Sequence, residues 1–147
     1  MFTGHCTNSI NNKGRLSIPA RFREVLESGG GDHLVVAKGL DRCLTAYSPD
    51  EWESVKEKAV RLSNVKKATV FYKRHVIGSA EECVLDAQGR ILIPSNLREY
   101  AGLHKKCQCV GLTSRFEIWD QETYDNEMME AFNGTEDVRE DLAEQGL

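Results

Sequence analysis

The chain has 147 residues, of which 40% are hydrophobic and 29% charged, with 12 glycines and only 3 prolines. This balance fits one ordinary compact domain or two very small ones. No apolar run approaches the roughly 18 residues of a membrane span, and the first residues lack a stretch of signal-peptide length, so we expect a cytoplasmic protein with no membrane partner. Five cysteines without a CxxC pair indicate buried thiols, because neither a complete disulfide framework nor a closed zinc site has that pattern.

The formal net charge of -4 is divided unevenly along the chain. Residues 120–147 hold ten acidic residues and one basic residue, net -9, whereas residues 1–119 hold 18 basic and 13 acidic residues, net +5. A basic body with an acidic tail suggests a surface for polyanions. The alternative is that the charges only keep the chain in solution.

Residues 1–62 are predicted to alternate short strands and helices. In chain order these are the turn Asn11–Gly14 between two strands of a hairpin, the strand Leu16–Ile18, the helix Ala20–Leu26 after Pro19, and the strand pair His33–Ala37 and Leu44–Tyr47. Ser48, Pro49 and Glu51 then form a capping box that opens a helix through about Leu62.

Residues 63–78 predict a connecting helix, Val65 to Ile77, which has a basic face and no counterpart later in the chain. Residues 79–133 repeat the earlier order of elements. These are a hairpin of Glu82–Leu85 and Arg90–Ile93, the helix Ser95–Tyr100 after Pro94, the strand pair Cys107–Val110 and Phe116–Trp119, and a helix from about Asp120 to Phe132. An apolar stripe of Tyr124, Met128 and Phe132 predicts that this last helix packs on the core. The acidic tail, residues 134–147, is expected to be frayed or disordered.

The sequence repeats itself. Lys13–Glu24, KGRLSIPARFRE, returns as Gln88–Glu99, QGRILIPSNLRE, with six of twelve positions identical, and Gly39-Leu40 matches Gly111-Leu112. We therefore predict a tandem duplication, with repeats at 1–62 and 79–133. Because each copy is too small for a confident core of its own, the two are expected to share one core or to fold with neighbouring chains.

The repeated turn is the strongest candidate for a binding site. Asn11 and Asp86 can cap the turns, Gly14 and Gly89 can take a positive φ, and an arginine follows each glycine. An arginine held on the rim of a two-stranded ribbon can engage a guanine edge or a phosphate in the major groove. The alternative is a structural ion pair, such as one between Asp86 and Arg90.

The segments MFTGHCTNSINNKGRLSIPARFRE, CVLDAQGRILIPSNLREYAGL and GLTSRFEIWD resemble the MraZ family of bacterial transcription regulators over residues 1 to about 125. The resemblance implies an AbrB-like swapped-hairpin fold, a double-psi-like barrel with short helices, that assembles into a ring of several subunits. It also implies binding to short direct repeats in front of the cell-division and cell-wall gene cluster, at the nucleoid. Asn11 departs from the aspartate usual in the family, and it cannot form an ion pair with Arg15.

The sequence therefore predicts an α+β protein that binds double-stranded DNA as a homo-oligomer. Lys13, Gly14 and Arg15 would form the principal contact loop and Arg90 a weaker duplicate, since Gln88 replaces the lysine. Two further arginines of the first repeat, Arg21 and Arg23, would either reach phosphates or pair with Glu24 and Glu27.

No enzyme, cofactor or small-molecule substrate is predicted, because no catalytic or phosphate-loop motif occurs. Ser17 is expected to face the opposite side of its strand from Arg15 and to be structural. Cys107, Cys109 and His104 could be imagined as a metal site, but buried strand cysteines are favoured and no metal is predicted. The rival hypotheses are a ring-forming interaction scaffold without DNA specificity and, more weakly, an enzyme with a site shared between chains.

Overall fold

A computed structural model describes residues 1–147 as a mixture of strands and helices, which confirms the α+β class. The first half contains β1 (His5–Ser9), β2 (Arg15–Ser17), α1 (Ala20–Ser28), β3 (His33–Lys38), β4 (Leu44–Tyr47), α2 (Pro49–Val60), α3 (Lys67–His75) and a 3₁₀ turn (Ile77–Ser79). The second half contains β5 (Glu81–Val84), β6 (Arg90–Leu92), α4 (Ser95–Ala101), β7 (Lys106–Gly111), β8 (Arg115–Asp120), α5 (Gln121–Asn133) and α6 (Thr135–Glu144). None of the helices is both long enough and apolar enough to cross a bilayer.

The strands form a six-stranded antiparallel sheet in the order β1-β7-β8-β4-β3-β5 and a separate two-stranded ribbon of β2 and β6. The predicted strand pairs β3–β4 and β7–β8 are confirmed. The two predicted hairpins are wrong beyond their turns, because β1 pairs with β7, β5 pairs with β3, and β2 pairs with β6. The strands part after each turn because the centre of the ribbon pairs Leu16 with Ile91 across the halves, where both side chains are buried.

One hydrophobic core is built from both halves, as the small size of each copy led us to expect. At its centre the rings of Phe2, Phe22 and Phe116 lie with centroids 4.8 to 5.4 Å apart. Burial of a side chain of this size contributes about 1.5–3 kcal/mol. Since the three rings come from the N-terminus, α1 and β8, the core ties the first half to the second.

Local signals mark where helices begin in both halves. Pro19 and Pro94 immediately precede α1 and α4, and the capping box of α2 is confirmed by a 3.3 Å hydrogen bond that the N–H of Glu51 donates to Oγ of Ser48. Helices α2 and α3 cover the sheet through a second, smaller cluster that includes Trp52 and Val76. Helices α2 and α3 are thus attached to the sheet by apolar packing.

The C-terminal helices depart from the sequence prediction in three respects. Neither α5 nor α6 has a buried residue, so the predicted packing of Met128 and Phe132 on the core is wrong, and only Tyr124 approaches it, 5.8 Å from the ring of Trp119. The segment expected to fray is helical from Thr135 to Glu144, with carboxylates in its first turn that favour a helix N-terminus. In element order α6 follows α5 as α3 follows α2, so α3 has the counterpart that we did not expect.

Candidate nucleic-acid interface

The β2–β6 ribbon presents both predicted arginines on one face. Its register pairs Arg15 with Leu92, Leu16 with Ile91 and Ser17 with Arg90. Because the central pair is buried, the residues on either side of it face outward. Arg15 and Arg90 are therefore diagonal neighbours on the outer face, roughly 7–8 Å apart at the backbone. Ser17 lies on this same face, which corrects the expectation that it faces the other side.

The first turn is closed as its residue types predicted. The N–H of Asn11 donates to the carbonyl of Arg15 at 2.9 Å, and the N–H of Gly14 donates to the carbonyl of Asn11 at 3.0 Å. The side-chain oxygen of Asn11 accepts from the N–H groups of Lys13 and Arg15, at 3.0 and 2.9 Å. Gly14 has a φ of 87°, which an L side chain rarely adopts. The turn thus fixes the backbone that carries Arg15.

The second turn repeats this geometry with a carboxylate in place of the amide. Oδ1 of Asp86 accepts from the N–H groups of Gln88 and Arg90 at 2.8 and 3.0 Å, and Gly89 has a φ of 74°. Oδ2 of Asp86 also binds Nε of Arg90 at 3.2 Å. The pKa of Asp86 is lowered, chiefly by the hydrogen bond from the backbone N–H of Arg90. Arg90 is therefore held by its own turn.

Arg15 has no corresponding partner. Its guanidinium makes no ion pair and no side-chain hydrogen bond within the chain. The difference follows from Asn11, whose amide caps the turn but carries no charge. The alternative of a structural ion pair is thus correct for Arg90 and not for Arg15. The neighbouring Lys13 is exposed at the tip of the first turn.

The other arginines of the repeated motif bind backbone. Arg21 donates to the carbonyl of His5 at 3.0 Å, and Nε of Arg23 donates to the carbonyl of Ile18 at 3.2 Å. Neither forms an ion pair with Glu24 or Glu27. Their guanidinium groups are therefore engaged in holding the N-terminal strand and the end of β2.

Arg98 was not among the predicted site residues, yet it lies against the first turn. Its Nε donates to the carbonyl of Ile93 at 3.0 Å, and its side chain crosses Gly14. Arg23 crosses Gly89 in the same manner, so each glycine is covered by the arginine of the other half. The alignment of the two motif copies matches Arg98 with Arg23, and this was the available signal.

Backbone hydrogen bonds complete this exchange between the halves. The N–H of Ile18 donates to the carbonyl of Gly89 at 3.0 Å, and the N–H of Ile93 donates to the carbonyl of Gly14 at 2.9 Å. The turn that contains Gly89 is thus hydrogen-bonded to the residue that follows β2, and the turn that contains Gly14 to the residue that follows β6. The two turns and the ribbon form one unit, in which neither half is complete alone.

A depression on the surface adjoins this unit without extending its charge. It has a volume of about 1060 Å³, and its lining includes Asn11, Arg98 and Lys105 as well as Asp120 and Glu122. Since both cations and carboxylates line it, the depression does not form an anion-binding groove. The outer face of the ribbon carries the uncompensated positive charge.

Most of the cysteines are buried, as predicted: four of the five lie in the interior of the fold and Cys6 is half-buried. Cys107 and Cys109 are fully enclosed, and burial raises the pKa of Cys107 to about 12. His104 is exposed on the loop before β7, and no three His, Cys, Asp or Glu side chains converge anywhere in the structure. These thiols are packing groups.

The fold is mixed α+β, and each half carries the same turn, in which a glycine is followed by an arginine. These features define the class of protein that the chain resembles. The model of a family described as "MraZ protein, putative antitoxin-like" matches residues 1–74 and again residues 76–143. The protein "Transcriptional regulator MraZ" of Natranaerobius thermophilus is 40% identical over 144 residues, which cover 98% of each chain. The chain belongs to the MraZ family.

Proposed function

We propose that this protein is a sequence-specific DNA-binding transcriptional regulator that contacts double-stranded DNA through the outer face of the β2–β6 ribbon and its two turns. The observation that carries the proposal is Arg15, a guanidinium on a rigid rim with no partner in the chain. The name of the 40% identical relative, a transcriptional regulator, supports the same function.

The geometry supports a division of roles between the two turns. A two-stranded ribbon fits the major groove of B-DNA, where arginine can bind both acceptors of a guanine. Arg15 is free to make this contact, whereas Arg90, already oriented by Asp86, presents a fixed donor about two base steps away. Lys13 at the tip of the turn is suited to a phosphate. Arg21, Arg23 and Arg98 are assigned positioning roles, since their guanidinium groups bind backbone carbonyls.

The resemblance to the family extends the proposal to the fold, the target and the assembly. The exchange of strands between the halves supports the swapped-hairpin description. The target would be short direct repeats in front of the cell-division and cell-wall gene cluster, bound by a homo-oligomeric ring at the nucleoid in the cytoplasm. Several subunits that present one ribbon each to successive repeats would convert modest contacts into high affinity, provided that repeat spacing matches subunit spacing. No cofactor enters this mechanism.

The test is DNA binding measured by fluorescence anisotropy, with DNA from upstream of the gene cluster and a shuffled sequence of the same composition. Arg15→Ala should lower affinity for the upstream DNA by about 10- to 100-fold per loop, since a base contact is worth about 1–3 kcal/mol, and should remove the preference over the shuffled DNA. Arg115→Ala is the matched control, because it removes an exposed arginine of β8 outside the ribbon. Lys13→Ala should weaken binding to both sequences alike.

Two outcomes would contradict the proposal. Unchanged specificity in Arg15→Ala would exclude the ribbon as the reading surface. Equal affinity of the unmodified protein for both DNA sequences would favour the rival hypothesis of a ring-forming scaffold without DNA specificity.

A further inference from the structure

Two surface segments, one in each half, expose large apolar side chains: the end of α2 with the loop and α3 that follow it, and the helices α5 and α6. The first, here the basic face, spans residues 60–75 and includes Val60, Leu62, Val65 and Phe71, which are 42–89% exposed. The second, here the acidic face, spans residues 121–144 and includes Met128, Met129, Phe132, Val138 and Leu142, which are 38–73% exposed. Several large apolar side chains exposed along one segment are typical of a contact surface.

The two faces carry opposite charge. The basic face holds five lysines and arginines and no carboxylate, whereas the acidic face holds nine carboxylates and one arginine. None of these side chains takes part in an ion pair within the chain. Apart from Lys73, whose Nζ donates to the carbonyl of Leu62 and to Oδ1 of Asn64, the charges of both faces are available to a partner.

The helices of the acidic face also pack less against the rest of the chain than those of the basic face. In the first half, Trp52 and Val76 anchor α2 and the end of α3 on the sheet. In the second half, α5 and α6 bury no residue, although each has two apolar residues four positions apart on one side, Met128 with Phe132 and Val138 with Leu142. Such stripes are typical of helices that pack against another element. No element of the same chain fills that place.

We propose that the acidic face of one chain docks on the basic face of a second copy of the same chain. The apolar residues of the two faces would supply contact area, and the charges would select the partner. Pairing of two acidic faces is disfavoured, because it would bring two surfaces of net charge -8 together. This inference rests on the homo-oligomer of the proposed function and names the surfaces that join its subunits.

The docking has a geometric consequence. Because the two faces are different surfaces, the contact is head-to-tail, and every subunit keeps one face of each kind for the next subunit until the chain of subunits closes. Arg15 and Arg90 belong to neither face, so the outer face of the ribbon stays open in each subunit. The acidic side chains are meanwhile compensated by the neighbouring subunit, away from DNA phosphates.

Charge reversal tests the docking. Lys67 and Arg74 flank Phe71 at helical positions i-4 and i+3, and Asp137 and Asp141 flank the stripe of Val138 and Leu142. Sedimentation velocity of the full chain should show the loss of oligomers in Lys67→Glu/Arg74→Glu and, separately, in Asp137→Lys/Asp141→Lys. The chain with all four substitutions should reassemble, and an equimolar mixture of the two double variants should form mixed oligomers. Recovery in these two samples also shows that the reversed chains fold.

An uncharged variant tests the apolar part of the contact. Phe132→Ser should lower the oligomeric mass, whereas Val84→Ser, which alters a 59% exposed residue on β5 outside both faces, should not. Unchanged mass in both double variants, or failure of the fourfold variant to reassemble, would overturn the docking while leaving an oligomer in place. If only the acidic-face variants dissociated, the contact would be a symmetric one between two acidic faces, and this result would also overturn the proposed docking. A monomeric unmodified protein would overturn the homo-oligomer of the proposed function as well, and the Arg15→Ala binding experiment is independent of that result.

Discussion

The side chain of Arg98 crosses Gly14 so closely that a Cβ atom at that position would lie 2.6 Å from Nε of the arginine. A side chain at position 14 would therefore displace Arg98 and would also be strained at a φ of 87°. Arg23 and Gly89 stand in the same relation, with a closest approach of 2.8 Å. Since each arginine comes from the opposite half, the shape of each repeated turn depends on residues distant in the sequence.

Gly14→Ala is expected to destabilise the protein by more than the cost of backbone strain alone. An L residue in the left-handed region costs roughly 1–2 kcal/mol, and displacement of Arg98 would add to this. Gly30→Ala is the matched control, because Gly30 has a φ of 77° but no atom within 4 Å of a Cβ. Urea unfolding should show a larger loss of free energy for Gly14→Ala. Equal losses would mean that Arg98 moves aside without cost.

The crossing also predicts that Arg98→Ala loosens the first turn rather than the second. Removal of its side chain uncovers Gly14, so amide hydrogen exchange of Lys13–Arg15 should accelerate while that of Gln88–Arg90 does not change. Arg23→Ala should give the reverse pattern, and the two variants serve as each other's control. If instead the faster exchange occurred in the turn that belongs to the same half as the substituted arginine, the assignment of each arginine to the opposite turn would be contradicted.

The turns could be predicted from the sequence because their interactions are local. The acceptor of Asn11, the positive φ of Gly14 and the cap that Ser48 provides for α2 involve atoms within five residues of one another. Residue type alone is then enough to fix the geometry. For the same reason the sequence predicts the ion pair between Asp86 and Arg90 as one of two possible roles for that arginine.

The strand partners and the destination of the last helices could not be predicted in this way. Alternation shows that Leu16 is buried but not that it faces Ile91 from the other half. The stripe of Met128 and Phe132 likewise predicts an apolar face without saying whether its partner lies in the same chain. The sequence does not predict a role for Arg98, because its contact with Gly14 depends on that same long-range pairing.

The two turns should respond differently to acid. Hydrogen bonds lower the pKa of Asp86 below its ordinary value of 3.8, so its carboxylate stabilises the fold above that pH, and this contribution is lost as the pH falls through the lowered pKa. The stability difference between the unmodified protein and Asp86→Asn should therefore be present at neutral pH and vanish in strong acid. Asn11→Asp should acquire the same pH dependence in the first turn. Urea unfolding across a pH series measures both, and a difference that persists in strong acid would contradict this explanation.

Thiol reactivity provides a measure of how tightly the shared core is closed. Burial raises the pKa of Cys83 to about 11 and that of Cys107 to about 12, and burial also raises the pKa values of Cys43 and Cys109. At pH 8 the thiolate fraction of Cys107 would be about one in ten thousand, and none of the four is accessible to a reagent. Only the half-buried Cys6 should react rapidly with a disulfide reagent in the native state.

The kinetics of this reaction identify which thiols belong to the core. Cys6→Ser should abolish the rapid phase, and the remaining thiols should react at a rate that increases with urea as the chain unfolds. Cys83 lies on β5 and Cys107 on β7, and each of these strands pairs with a strand of the other half. If both thiols become reactive at the same urea concentration, the two halves open together. A rapid reaction of Cys83 alone in native buffer would instead show that β5 detaches from β3 independently, and that the sheet edge is less stable than the core it covers.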